Sequence, residues 1–497
     1  MKKTVNILTI CVSLLLMSCS DWLDVTPSSQ IREEDQFSTV EGFQQGLMGC
    51  YLGMTDDLLY GRALTWNTIE LMGGQFEDLQ ASSNNDYSIS NYSYDSNNGQ
   101  IYVNGIWSKA YNVIANANNA LKYIDINKDK IDNINYSIIK GELLAIRAQM
   151  HFDLMRLYGY GNLGNRTDIS GKPAIPYVSM LEKEMTPQLN YDETLSKLKK
   201  DLEDALELLK IDPVTKMHPI DYYQEVNLDG FYNDRQQRFN YYATSLLLAR
   251  VYMWENSSES NTKALQLATS VLEEAEKNDM VSWATSNSVT TDPVMKTEHL
   301  FSLNTQNIFD KTSRYFMLNI SAAGDIYAQY VSNNRLQSIY EVEGPGATDF
   351  RFSRLYLQNN VTQDGSNTYT PIKFYGTTSN NSVSNNYIPL MRLPEAYYIA
   401  AECYLKQSTP NIPKALEMLN KVREKRGITQ ELSNLDADET MAEIVKEYHK
   451  EFYCEGVMFF LYKRMGRENI PGYLNEAGDD IYVMPYPNTE VQMGRSQ

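Results

Sequence analysis

Apolar residues recur at helical spacing through several long stretches of this chain, and polar runs dotted with aromatics separate them. From about Phe37 to Met54 the spacing is that of one helix. Ile106–Ile126 places Ile106, Ala110, Val113, Ile114, Ala117 and Leu121 on one face. Glu142–Tyr158 does the same with Leu143, Ile146, Met150, Leu154 and Leu157. Thr194–Leu209 turns Leu195, Leu198, Leu202, Ala205, Leu206 and Leu209 inward and keeps Lys, Asp and Glu outside. Tyr242–Lys277 and Leu393–Gly427 read as two copies of one unit. Each has a helix with a small residue and a tyrosine (Ala249 and Tyr252; Ala401 and Tyr404), a turn, and a second helix opening on Ala-Leu (Ala264-Leu265; Ala415-Leu416).

Helix–turn–helix units of about 34 residues with small and aromatic residues at fixed places predict tetratricopeptide-like hairpins. The intervening stretches differ in kind. Residues 81–105 are rich in Asn, Ser and Tyr, and 211–238 are polar with Tyr222, Tyr223, Phe231 and Tyr232. Residues 278–387 are long, rich in Asn, Ser, Thr and Gly, and carry short strand-like runs such as HLFSLNT and PIKFYG. Structureless loops of that length are uncommon unless functional. The expected fold is mainly α: a hairpin scaffold over 36–80, 101–277 and 388–466, with the loop-rich stretches forming a binding half of irregular structure and small sheets. No linker divides it, so 36–497 is expected to be one body.

The start of the chain decides compartment. Lys2 and Lys3 precede an apolar run from Val5 to Met17, then Leu16-Met17-Ser18-Cys19. That is a signal peptide, 1–18, with an apolar segment too short to span a bilayer. Cys19 stands where lipoprotein processing acylates, so 19–35 is expected to be a lipidated tether. Ser20 follows, where an Asp often retains such proteins in the inner membrane, which favours the outer membrane. Loss of 1–18 removes two lysines from a chain of net charge −19, leaving about −21. That balance argues against nucleic acid. The remaining Cys50, Cys403 and Cys454 are too few for a disulfide framework.

An ordered series of segments then resembles the SusD/RagB family of outer-membrane nutrient-binding lipoproteins. It runs from SDWLDVTP after Cys19, through IWSKAYNVIANANNAL, GELLAIRAQMHFDLMRLYGYGNL and TPQLNYDETLSKLKKDLEDALELL, to MRLPEAYYIAAECYLK, KALEMLNKVREKRG, EIVKEYHKEFYCEG and YVMPYPNTEV. The resemblance covers essentially the whole chain. It implies a tetratricopeptide-like scaffold with an irregular ligand-binding half, a glycan ligand (a peptide in some members), no catalysis, and a SusC-like TonB-dependent transporter as partner. Family members often carry Arg and then Asp-Leu after the Glu-Gly at Glu455-Gly456. Here Met458, Phe460 and Leu461 stand instead, so that local ion pairing is not expected.

Glycan capture needs flat apolar faces for sugar C–H surfaces, with amides and carboxylates for hydroxyls. The candidates are Trp66, Tyr87, Tyr92, Tyr94, Trp283, Phe309, Tyr330 and Tyr375, with Asn84, Asn91 and Asn307 beside them. Trp283 and the Tyr92/Tyr94 pair lead, because their surroundings are polar and helix-poor. Gly159–Gly164 matches GxGxxG but follows a helix, which reads as helix termination and not as a dinucleotide site. His151, His218, His299 and His449 are far apart and form no HExxH, so no metal and no cofactor is expected. A surface glycoside hydrolase using a carboxylate pair is the alternative, although no pair stands out.

Overall fold

The computed structural model describes residues 33–77, 85–182, 184–316, 329–359, 367–374 and 386–497. Cys19, Asn84 and Tyr375 lie outside the described residues. The helices that position the site are α1 Val40–Met54, α2 Asn85–Ser90, α3 Asn97–Ile126, α4 Asn133–Tyr158, α5 Tyr191–Leu209, α6 Tyr241–Glu255, α7 Ser258–Glu274, α8 Ile308–Thr312, α9 Leu393–Leu405, α10 Ile412–Lys425, α11 Ala437–Glu451 and α12 Met458–Met465. Among the described residues the strands form three small antiparallel sheets. Pro173–Pro176 (β1) pairs with Gln188–Asn190 (β2), and His299–Asn304 (β3) with Tyr387–Arg392 (β7). Val331–Ser332 (β4), Tyr356–Asn359 (β5) and Thr368–Pro371 (β6) form the third, with β6 in the middle.

Successive long helices pack side by side: α3 on α4, α4 on α5, α5 on α6, α6 on α7, α7 on α9 and α9 on α10. The α6–α7 and α9–α10 hairpins are the two copies read from the sequence. Ala249, Ala264, Ala401 and Ala415 are fully buried, so the helix axes approach closely and Tyr252 fills the remaining gap. Asn256 closes the first hairpin in a left-handed conformation. Boundaries follow capping chemistry: α5 and α11 each begin with a reciprocal capping box, Asn190 with Glu193 and Asp436 with Glu439. α4 is buried on almost every face, as expected of a helix enclosed by α3 and α5.

Two features differ from the expectation. The stretch expected to be loop-rich up to residue 105 is already helical from Asn97, because the Ser96 hydroxyl accepts from Gly99 N and starts α3 on polar residues. HLFSLNT forms β3, but of the described residues of PIKFYG only Pro371 joins a strand, and Ile372 N turns away to Leu355 O. A second core, containing Val294, Met295, Ile308, Leu336, Phe374, Tyr387 and Tyr453, packs the insertion onto the scaffold. Glu455 is not left alone: it pairs with Arg392, at 2.8 Å, and with Lys373, at 2.5 Å, both distant in sequence. Cys50, Cys403 and Cys454 are free and buried. Among the described residues no helix is long and apolar enough to cross a membrane.

Candidate ligand-binding site

Between α1 and α2 the chain makes a run of tight turns, 55–67, whose N–H groups return to nearby carbonyls: Tyr60 N to Met54 O, Gly61 N to Asp56 O and Leu64 N to Leu59 O. Gly61 is required, since a Cβ there would meet Thr55 O at 2.2 Å. The run presents Arg62, whose side chain is 18 % exposed, toward the start of α2. Its Nη1 donates to Asn67 Oδ1 at 2.9 Å and lies 3.5 Å from Asp86 Oδ1. The guanidinium also sits 5.7 Å over the Tyr102 ring. Tyr102 donates its hydroxyl to Asp86, and Asn67 Nδ2 donates to the other Asp86 oxygen at 3.3 Å.

Tyr315 joins this cluster from the insertion. Its half-buried ring meets the edge of Trp66 at 5.2 Å. Burial pushes its phenol up from the ordinary value, against the opposing pull of Arg62, so the hydroxyl stays neutral. Backbone bonds gather its neighbours: Gln329 N donates to Tyr315 O at 2.7 Å, and Glu77 N to Tyr330 O at 3.0 Å. Lys311 of α8 reaches Asp57 at 2.7 Å, which ties Phe309 to the same run of turns. The result is a patch of donors, acceptors and aromatic rings, with Tyr87 and Phe309 each 37 % exposed. Such a surface suits a hydroxyl-rich ring ligand: aromatic faces take C–H surfaces and the part-exposed Arg62 supplies donors, while the buried Asn67 and Asp86 hold Arg62 in place.

The sequence-derived candidates divide on burial. Tyr87 follows Asp86 in α2, Phe309 lies two residues before Lys311 in α8, and the Tyr330 carbonyl accepts from Glu77 N, and none of the three is buried. Asn91 is exposed, but its Nδ2 is turned to Tyr87 O at 2.8 Å and so closes the end of α2. Three candidates are corrected. Trp66 is fully buried and donates Nε1 to Gly61 O at 3.0 Å. Tyr92 and Tyr94 are 8 % and 6 % exposed, and their hydroxyls donate to Met72 O at 2.6 Å and Ile481 O at 2.5 Å. They are pegs between distant segments, with only their edges bordering an open hollow beside Tyr160 and Asp479. Trp283 is half-buried on another part of the scaffold, 5.5 Å from Tyr397 of α9 and beneath Arg426.

Arg62, Asp86 and Tyr315 were not read from the sequence. Tyr315 stands in a polar run like the chosen tyrosines, so the aromatic criterion could have reached it. Nothing local marks Arg62 or Asp86. His151 serves structure: its Nδ1 faces Arg147 O at 2.8 Å, its Nε2 accepts from Val178 N at 2.9 Å, and burial drives its pKa down to about 3. Among the described residues no group of three or more His, Cys, Asp or Glu side chains is placed to hold a metal.

Comparison with known proteins agrees with this architecture. A family model described as starch-binding and associating with the outer membrane matches residues 21–221, and the SusD family model matches 297–497. SusD-like protein P2 of Formosa agariphila is 28 % identical over 159 residues, a match spanning 32 % of this chain and 30 % of that protein. A SusD superfamily protein from Bacteroides thetaiotaomicron superimposes with a TM-score of 0.71 at 21 % identity, over 91 % of this chain and 98 % of its own. A SusD-like carbohydrate binding protein from Bacteroides vulgatus gives 0.69 at 17 % identity, over 91 % and 96 %. At these identities the superpositions establish the fold. The helical-hairpin scaffold and the two matches, one in each half of the sequence, lead to one conclusion: this chain belongs to the SusD/RagB family.

Proposed function

We propose that this protein binds carbohydrate in outer-membrane nutrient uptake, without making or breaking bonds, and passes its ligand to a SusC-like TonB-dependent transporter. Acylation at Cys19 would hold it to the outer membrane while the body stays in water. The observation that carries the reading is the Arg62–Asp86 cluster with Tyr315 against Trp66, and the part-exposed Tyr87 next to Asp86 and Phe309 on the helix that Lys311 ties to Asp57. Family membership supports it, since the model matching residues 21–221 describes starch-binding proteins. Asp86 is engaged by Arg62, Tyr102 and Asn67, which suits an acceptor held in place and not a carboxylate poised for general acid catalysis.

The test is retardation in gels containing individual polysaccharides, followed by calorimetry on those that slow the protein. Tyr315→Ala is expected to weaken binding about tenfold or more, since one stacking aromatic contributes about 0.5–1.5 kcal/mol beyond its buried area. Thermal stability of the same variant separates lost binding from lost folding. Release of reducing sugar from any retarded polysaccharide would overturn the non-catalytic reading. Cys19→Ala is expected to release the protein from the membrane fraction.

A further inference from the structure

A second concavity opens where the turn between α6 and α7 meets the last turns of α9 and α12. It is a hollow of about 430 Å³ and shares no residue with the aromatic patch. Four of the residues lining it have their polar ends joined to one another. Arg464 lies bidentate on Glu402 at 2.6 and 2.7 Å, and Lys406 reaches the same carboxylate at 2.6 Å. Lys406 also donates to Asn256 Oδ1 at 2.7 Å. The oxygens of Glu402 and Asn256 are thus taken, while donors are left over. Arg464 has five N–H groups and spends two on these partners, and Lys406 has three and spends two.

Charge points the same way. Lys406, Arg464 and Arg467 line the hollow against Glu402 alone. Burial would raise Glu402, but Arg464 and Lys406 outweigh it and hold it at about 2, so it stays ionised. Glu255 and Glu259, at the α6–α7 turn, are matched by Lys199 and Lys263, each at 2.8 Å. Helix ends lower the surplus. Lys406 follows the last residue of α9 and Arg464 stands in the last turn of α12, and each helix end offsets about half a positive charge. The end of α6 and the start of α7 meet at one turn and cancel, so about one positive charge remains. It is open to a ligand: the Lys406 side chain is 23 % exposed, and Arg467 is exposed and forms no ion pair among the described residues. Exposed Asn165 and Ser258 and part-buried Met441 and Met465 complete the lining. Apolar surface with a few polar groups characterises small-molecule sites.

We propose that this hollow is a second ligand site, separate from the aromatic patch, for a singly charged carboxylate carried by an acidic sugar or by a small organic acid. The carboxylate accepts from Lys406 and Arg467, and hydroxyls on the ligand meet Asn165 and Ser258. The experiment titrates glucuronate, acetate and glucose separately into the whole protein by calorimetry at low salt. The expected result is saturable glucuronate binding that weakens as sodium chloride is added and that glucose does not displace. Arg467→Gln is expected to weaken glucuronate about fivefold, the loss of one exposed charge contact. Lys406→Gln is the second variant, and Tyr315→Ala is expected to leave the affinity unchanged. Tighter binding of glucuronate than of acetate assigns the carboxylate to a sugar, and equal affinities assign it to a free organic acid. No saturable binding of either carboxylate, or wild-type affinity in both charge variants, overturns the proposal. Glucuronate binding that persists while no polysaccharide binds the patch would instead remove the glycan-capture reading and leave this one standing.

Discussion

The two helical hairpins and the seam where the insertion meets them both bury their contact residues, yet they do so with different chemistry. In α6–α7 and α9–α10 the small residues Ala249, Ala264, Ala401 and Ala415 are fully buried, which suits closely packed helices. At the seam, fully buried ions stand beside the apolar core. Arg351 pairs with Asp349, Glu447 and Glu451 at 2.7, 2.9 and 2.8 Å. Arg426 joins Glu298 and Glu451 at 2.6 and 2.7 Å, and Arg392 joins the same two at 3.1 and 2.7 Å. Hairpins of one chain segment find their register from local periodicity. An insertion has no such register, and directional, mutually dependent ion pairs accept only one docking position.

Acid should break this contrast most completely. Burial alone would raise Glu447, but Arg351, Lys450 and Arg423 outweigh it and hold it at about 2, against 4.5 as a free side chain. Arg426, Arg392 and Arg351 likewise pull Glu451 well below its ordinary value. A depressed carboxylate stabilises the fold fully above its unfolded value and loses that contribution as pH falls toward the folded one. Seam stability is therefore expected to decline from about pH 4.5 toward 2. His151, His299 and His449, each held at about 3 by burial, start the decline earlier, because the unfolded chain binds their protons from about 6.5 downward. Melting temperature against pH checks both limbs. A profile flat from 6.5 to 3 would contradict the ionic account.

Arg392→Met removes one cation and leaves Glu298, Glu451 and Glu455 short of a partner. The expected loss is about 3–5 kcal/mol in urea unfolding. A loss under about 1 kcal/mol would mean the seam tolerates unpaired charge. Ala401→Leu attacks the hairpins instead, by overfilling a fully buried position in α9, and should destabilise by about 1–3 kcal/mol. If it cost more than Arg392→Met, the ranking of the two regions would be reversed. The smallest effect belongs to Lys200→Ala. Its bridge to Asp204 joins side chains 71 % and 49 % exposed, and no measurable change in melting temperature is expected.

Legibility followed the range of the interactions. The hairpins could be read because a helix's apolar face, its cap and its small residues lie within one segment. The aromatics could not be sorted the same way. Tyr87 and Tyr92 stand five positions apart in the same polar stretch, and one is exposed while the other is a buried peg. Tyr94 is fixed by a carbonyl 387 residues away, at Ile481. Arg62 and Asp86 gain meaning only when α2, α3 and the run at 55–67 converge. Likewise, nothing near Glu455 in the sequence announced that Lys373 and Arg392 would pair with it.

The sequence by itself therefore determined the helices, their hairpin repeat, the family and the presence of a long polar insertion, since each rests on residue types at fixed short spacing. Only the tertiary structure decided which rings face solvent, which charges neutralise one another and which buried polar atoms remain open. The physical reason is that exposure and pairing depend on what lies opposite a side chain, and in this fold the opposing residue often lies a hundred or more positions away.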